Sequence, residues 1–384
     1  MKRVLFGLGL LSTASFSLAQ YQFHELAAPA AFRKLSVQGL TATSSRGLYA
    51  IGYGTDVSGA THYLLYGPDY SKPPQDLSLG AGPYPLATTP WSGIYTAVND
   101  KGHAVAYSQF DSLTAASVYL YQHEQHLLTE VPLPAHLPAN TLFAAPSGVN
   151  ALTINNGDRI AGDIALGGDQ NGNHPVLTPF RWTASGNFMD APFVHAGYSI
   201  TMHALSTNDF MVGVTNPNAI YAGAVLGYLS SGETETFSDT SGGYPEGLDP
   251  FDVNDFDYVC GVAYGFANAY RSAFVETGWV SGTPEEFVLG AINSGGNTNA
   301  LCLDNFGRVL GVEDDTAIGG ARYPVLWQQY GQGQVPVPVS SLVPVGVAPS
   351  ATFWWFQSMD HAGNIWGYYD DSLGSVHLFY LSPN

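Results

Sequence analysis

Charge is scarce in this chain, and positive charge is scarcest. Asp, Glu, Lys and Arg make up only 11% of the 384 residues, and 31 acids outnumber 12 bases for a formal charge of −19. Nucleic acids and anionic membrane surfaces are held through basic patches, so this balance argues against both and leaves cationic, neutral or metal-bridged partners. Two cysteines are too few for a disulfide scaffold. Cys260 and Cys302 can form one bridge or remain two buried thiols. No apolar run approaches the roughly 20 residues of a membrane-spanning helix, and no segment sustains the period of an amphipathic one. The phosphate-binding loop, the dinucleotide fingerprint and the G-x-S-x-G elbow are missing, so no cofactor is expected. What the chain does have is apolar content (45%), glycine (44 residues) and proline (24). That is the composition of a packed core interrupted by many turns.

The opening residues, "MKRVLFGLGLLSTASFSLAQ", set Lys2 and Arg3 before a short apolar run, with small residues Ser17 and Ala19 at the expected cleavage site. This is the pattern of a secretory signal peptide, expected to span 1–19 and to direct export to the periplasm or beyond. Residues 20–384 are then expected to form a single domain.

That domain is repetitive. "TAVNDKGHAVAYS" (96–108) aligns with "LTINNGDRIAGD" (152–163), "ALSTNDFMVGV" (204–214), "FDVNDFDYVCGV" (251–262), "LCLDNFGRVLGV" (301–312), "QSMDHAGNIWGY" (357–368) and, less closely, "TSSRGLYAIGY" (43–53). A small anchor residue recurs as Gly52, Ala106, Gly162, Gly213, Gly261, Gly311 and Gly367, at spacings of 48 to 56 residues. Seven positions earlier stand Ser45, Asn99, Asn155, Ser206, Asn254, Asp304 and Asp360. These are short polar side chains that bond nearby backbone and mark a turn. The two residues before each anchor are both apolar, which indicates a strand buried on both faces. Aromatic-aliphatic stretches such as "THYLLY" (61–66), "YPVLW" (323–327) and "VHLFYL" (376–381) supply a third strand, and a short piece after six of them supplies a fourth. Seven units of about 52 residues, each with four short strands, predict an all-β, seven-bladed β-propeller with antiparallel blades. The last unit has no fourth strand of its own. "YQFHELAAP" (21–29) is similar to the fourth strands elsewhere, so residues 21–28 are expected to join the last blade and close the ring.

A polar turn with a glycine-flanked strand, followed by a small-aromatic-aliphatic-aromatic strand, resembles the repeat of the bacterial extracellular HAF-repeat family. That repeat reads roughly A-x-x-I-N-x-x-G-x-V-V-G and then H-A-F-L-W. "ALTINNGDRIAG" (151–162) and "AVNDKGHAVA" (97–106) carry the first half, and "HYLLY" (62–66), "SAFVE" (272–276) and "YPVLW" carry the second. The histidine of the second half occurs as His62 and His377. The resemblance spans residues 20–384 and implies a secreted propeller. It implies no particular reaction, because the family's activity is largely unassigned.

Several residues invite a chemical reading. The acids Asp252, Asp255 and Asp257 crowd one repeat, but a calcium loop needs alternating oxygens and a glycine at its sixth position, where Asp257 stands. That stretch reads as scaffold. Asp169, Asn171 and Asn173 alternate correctly, yet Phe180 occupies the place of the bidentate Glu, so they are weak metal candidates and no metal is expected. "HEQHL" (123–127) spaces its histidines three apart rather than four and falls in a strand–strand turn, so His123 and His126 read as exposed turn residues. In a propeller, second-to-third-strand loops and blade-to-blade crossings share one face. They hold Tyr84, Trp91, Tyr198, Trp354 and Trp355 beside Asp314, Asp315, Asp370 and Asp371. Aromatic platforms beside acids suit carbohydrate or cationic ligands. The expected function is that of a secreted, monomeric, non-catalytic propeller binding a glycan or protein partner through this crossing face. The alternatives are a propeller enzyme acting on polysaccharide, as hydrolase or lyase with loop carboxylates as acid and base, and a structural component of the cell envelope.

Overall fold

The structure, a computed structural model, describes residues 21–29, 35–77, 93–109, 114–133, 142–144, 152–166, 176–183, 189–190, 200–215, 223–228, 234–236, 248–264, 271–278, 285–293, 296–315, 321–348 and 351–384. The expected signal peptide lies outside these residues.

Strand β1 (Tyr21–Glu25) precedes the first unit, which is β2 (Ser36–Thr43), β3 (Ala50–Thr55), β4 (Thr61–Tyr66) and β5 (Gln75–Asp76). The second is β6 (Gly93–Val98), β7 (Ala104–Gln109), β8 (Thr114–Gln122) and β9 (Leu127–Val131). The third is β10 (Leu142–Ala144), β11 (Thr153–Ile154), β12 (Arg159–Leu166), β13 (Val176–Thr183) and β14 (Met189–Asp190). The fourth follows as β15 (Ile200–Leu205), β16 (Phe210–Thr215), β17 (Gly223–Tyr228) and β18 (Thr234–Thr236). The fifth is β19 (Leu248–Val253), β20 (Val259–Tyr264), β21 (Arg271–Thr277) and β22 (Glu285–Val288). The sixth is β23 (Asn297–Leu303), β24 (Val309–Asp315), β25 (Ala321–Trp327) and β26 (Val337–Pro338), and the last is β27 (Ala351–Met359), β28 (Ile365–Asp371) and β29 (Val376–Pro383).

All pairings are antiparallel, and four units form separate four-stranded sheets in chain order. A fifth four-stranded sheet comprises β27, β28, β29 and β1, which pairs along β29 from Tyr21 opposite Pro383 to Glu25 opposite Phe379. Seven blades are expected, but the described residues form six. The short strand β10 pairs with the start of β8 on one side and the end of β12 on the other, merging the second and third units into one nine-stranded sheet. β8 and β12 are nine and eight residues long, and the crossing strand satisfies backbone groups at their ends that would otherwise be unpaired.

The doubly apolar positions are buried on both sides, as the pattern requires. Val309 packs into the core against the fifth unit with Cys260 and Val275, whereas its neighbour Leu310 packs against the last with Phe356 and Ile365. Burial of such a side chain stabilises the fold by about 2 kcal/mol. Leu40, Ala50 and Leu64 of the first unit likewise share a core with Trp366 and Leu378 of the last. The anchor glycines answer to a bulge. In the innermost strands the register shifts opposite the anchor, at Leu40/Ala42, Met202/Ala204, Pro250/Asp252, Ala300/Cys302 and Phe356/Ser358. A Cβ at Gly261 would stand 2.1 Å from the Asp249 carbonyl oxygen, and one at Gly311 would stand 2.2 Å from that of Asn299. The bulge brings the backbones close and re-aims the extra residue.

Candidate functional site

Each unit's first two strands are joined by the polar turn. In the second unit Asn99 N–H donates to His103 O (2.9 Å), Gly102 N–H donates back to Asn99 O (3.0 Å), and the Asn99 side-chain oxygen accepts from the N–H groups of Lys101 and His103. Asn155, Ser206, Asn254 and Asp360 repeat this scheme, and Asp304 repeats its bonds with Phe306 and Arg308. In the first unit the expected turn residue, Ser45, is off by one. Ser44 takes the role across a turn one residue longer, its N–H donating to Tyr49 O and its Oγ accepting from Leu48 and Tyr49.

The third residue after the turn residue has positive φ everywhere: Gly47, Gly102, Gly307 and Gly363 in four units, Asp158 (58°), Asp209 (69°) and Asp257 (60°) in the others. A non-glycine residue there costs on the order of 1–3 kcal/mol. Each aspartate offsets that cost with a bond from the preceding unit's turn residue. Asn99 Nδ2 donates to Asp158 (2.8 Å), Asn155 Nδ2 to Asp209 (2.6 Å) and Ser206 Oγ to Asp257 (2.8 Å). The turns therefore form a belt in which each clips the next.

The residue after each turn residue closes that end of the axis. Asp100 accepts from Ser45 Oγ (2.9 Å) and Asn156 Nδ2 (2.6 Å), and Asn156 Nδ2 also reaches Ser45 Oγ, 111 residues away in sequence. Asp255 accepts from Thr207 Oγ1 (2.7 Å) and Asn305 Nδ2 (2.7 Å) and pairs with His361 Nδ1 (3.1 Å). His361 N–H donates to Ser45 O (2.6 Å), which joins the last turn to the first. Two carboxylates thus centre a polar plug drawn from every unit.

Behind the plug lies a cavity of about 310 Å³, lined by the ends of β2, β6, β11, β15, β19, β23 and β27 together with Ser45, Asp360 and His361 of the turns. Its walls are apolar at Val98, Leu152, Leu205 and Met359 and polar at His203, Asp252 and Ser358. Asp252 is half-buried, and the cavity is the space onto which it opens; its Oδ2 accepts from Leu303 N–H (2.9 Å). His203, 6% exposed, donates from Nδ1 to Pro250 O (2.5 Å), with Asp249 Oδ1 3.3 Å from the same nitrogen.

Burial raises the pKa of Asp252, with His361 and two backbone N–H groups only partly opposing it. Asp255 goes the other way: burial is outweighed by His361, Asn305 and Thr207, which hold its carboxyl well below the usual range. For His361, burial disfavours the imidazolium, but Asp255 and Asp252 outweigh it and the pKa rises. Burial raises Asp360 to about 6, despite bonds from Trp366 Nε1 and Asn364. On the same end His103 sits between Asp158 (2.8 Å) and Glu124 (2.7 Å), and these two raise its pKa against the effect of burial.

No family model and no curated protein matches the chain. Solved structures are. The β-propeller domain of the Trilobed protease from Pyrococcus furiosus, reported to have an open velcro topology, is 10% identical over 91% of this chain and 95% of that one, with a TM-score of 0.51. A prolyl endopeptidase is 10% identical over 94% of this chain and 51% of its own, with a TM-score of 0.53. A streptogramin B lyase is 13% identical over 95% and 98%, with a TM-score of 0.43. The chain is a β-propeller. At these identities the likeness extends to the fold alone.

Only some of the residues expected to bind on the crossing face of the propeller fall within the described residues. Tyr84, Trp91, Tyr198 and the weak metal candidates Asp169, Asn171 and Asn173 lie outside the described residues, and among the described residues no His, Cys, Asp and Glu group could hold a metal ion. Trp354 is packed among Phe23 (5.9 Å), Tyr369 (4.9 Å) and Phe379 (5.1 Å). Trp355 is 44% exposed on β27 and stacks on Tyr368 at 6.5 Å. Asp314 pairs with exposed Arg322 (2.8 Å), Asp315 ends β24, and Asp370 lies next to Asp371 at the end of β28. Asp371 caps its hairpin by accepting from Leu373 and Ser375 N–H.

The histidines of the HAF-like motif have a structural role there. His62 bridges Asp56 (3.3 Å) and Asp76 of β5 (2.8 Å), and His377 bridges Asp371 (3.3 Å) and Glu25 of β1 (2.8 Å). His126 is exposed in its turn, as expected, whereas His123 is half-buried beside Tyr49. Cys260 and Cys302 are free thiols. Burial pushes Cys302 up to about 12 and raises Cys260 as well, so neither is a reactive thiolate.

Proposed function

We propose that the protein is a secreted, monomeric, non-catalytic binding propeller of the HAF-repeat type, and that its ligand site is the axial cavity at the turn end. One observation carries the reading: the innermost strands of all the units converge on a partly polar cavity of about 310 Å³, within the size range of small-molecule sites. Binding is favoured over polysaccharide cleavage by the state of the acids. Asp255 and Asp360 are committed to donors from the fold, which leaves Asp252 as the carboxylate open to the cavity, where a glycosidase needs two. Export is supported by the Lys2–Arg3 start, its apolar run and Ala19.

We also infer that β1 is the fastener of the ring. Glu25 stands to His377 as Asp76 stands to His62, so β1 takes the outer-strand position that β5 takes in the first unit.

The cavity reading is tested by ligand-observed NMR of a fragment library against the wild type and against Ala204→Phe, which fills the cavity from β15. Hits are expected to bind the wild type and to be lost in the filled variant. The same hits binding both proteins alike would refute the axial site.

A further inference from the structure

We propose that the axial cavity selects a protonated amine carried on an apolar body, with the ammonium held at Asp252 and the Nε2 of His203 as a second acceptor. This rests on the axial-site reading above and gives its ligand a chemical class.

The cavity lining includes the carboxylate of Asp252 and the imidazole of His203. His203 is the extra residue of the β15 bulge, between Met202 and Ala204, and lines the cavity as a buried residue. Its Nδ1 must carry a proton, because it donates to the Pro250 carbonyl. In the neutral ring Nε2 is then an acceptor, and among the described residues no group bonds to it. An imidazole acceptor beside a cavity can take a donor from a ligand.

Asp252 supplies the charge. No Lys or Arg lines the cavity. His361, the nearest positive group, gives its Nδ1 to Asp255. The Asp252 carboxylate is compensated by the His361 charge and two backbone N–H groups, which only partly oppose the burial that disfavours its ionised form. An ammonium completes that compensation and brings several N–H donors to the carboxylate. The apolar walls at Val98, Leu152, Leu205 and Met359 fit a hydrocarbon or aryl body behind it. The excess of acids over bases in the chain further concentrates cations around the molecule.

The test is calorimetric titration of the full chain with phenethylamine, 2-phenylethanol and 3-phenylpropanoate, which share a body and differ in charge. The amine is expected to bind at least about tenfold more tightly than the alcohol, with the acid weakest, since a charge-assisted hydrogen bond exceeds a neutral one by roughly that factor. Asp252→Asn should erase the preference for the amine, and Ala204→Phe should abolish binding. If Asp252→Asn does not fold, the comparison of amine with alcohol on the wild type still decides the matter. Equal binding of amine and alcohol, both lost in Ala204→Phe, would overturn the charge selection and leave the axial site standing. Binding that persists in Ala204→Phe would overturn both, and no binding of the amine would overturn the proposal.

Discussion

The two ends of this propeller use the same residue types in opposite ways. At the crossing-loop end, acids work locally: Asp56 and Asp371 cap their own hairpins, Asp314 meets Arg322 on the surface, and His62 and His377 each tie a hairpin to the neighbouring outer strand. At the turn end, acids work between units. Asp158, Asp209 and Asp257 clip one turn to the next, and Asp100 and Asp255 gather side chains from units that are distant in sequence. The difference follows from geometry. Turns beside the axis face one another, whereas hairpins farther out face solvent. An acid's place within the repeat therefore decides whether it is cap or keystone, and residue type alone does not.

That contrast can be broken in graded ways. The largest effect is expected from removing residues 21–29, which deprives β29 of its outer partner and His377 of Glu25. Thermal melting should fall by about 10 °C or more, or the protein should aggregate, because an unpaired edge strand invites association. An unchanged melt would show that β1 does not fasten the ring. Next, Asp255→Ala should cost about 3 kcal/mol in denaturant unfolding, since it strands His361, Thr207 and Asn305 inside the plug. Asp371→Ala, at the solvent-exposed end, should leave the midpoint nearly unmoved. Equal losses would erase the distinction between the ends.

The pH dependence has a definite sign. Asp163 is raised by burial to about 8, Glu276 by burial and by Glu286 to about 9, and His103 and His361 are raised by their carboxylate partners against the effect of burial. Groups with raised folded pKa values stabilise below their unfolded values and lose that contribution as pH rises through the folded ones. Asp158, lowered to about 2, and Asp255, also lowered, lose theirs as pH falls below about 4. The melting temperature should therefore peak between about pH 4 and 6 and decline toward pH 9. A peak at alkaline pH would contradict these assignments. A smaller effect is expected from Asp209→Gly, which relieves a positive φ but loses the bond from Asn155, for a net cost of about 1 kcal/mol by chemical denaturation. A stabilised variant would mean that the clip contributes nothing.

Much of the fold was legible because burial on both faces leaves a visible pattern: Ile160 with Ala161, or Val309 with Leu310, can be read directly as inward strands. The first turn was misplaced onto Ser45 because an extra residue between Ser44 and Tyr49 shifts the register by one. The merging of two units through Leu142–Ala144 depends on backbone groups meeting in space, which periodicity does not encode. For the site, the sequence of "FDVNDFDYVCGV" reads as scaffold, and Asp257 is that: it shares the clip role of Asp158 and Asp209. Asp252 and Asp255 are more. Their signal lay in comparing columns: the residue after every turn residue is polar, from Ser45 through His361, and the third residue after it is always Gly or Asp. The cavity itself required the bulges, which leave no mark beyond a glycine on the opposing strand.

The most direct test of turn-end cooperation is a double-mutant cycle on Asp255 and His361, 106 residues apart in sequence. Unfolding free energies of Asp255→Ala, His361→Ala and the double variant should reveal a coupling of about 2 kcal/mol. Additivity within about 0.5 kcal/mol would contradict a plug that joins the units across the axis.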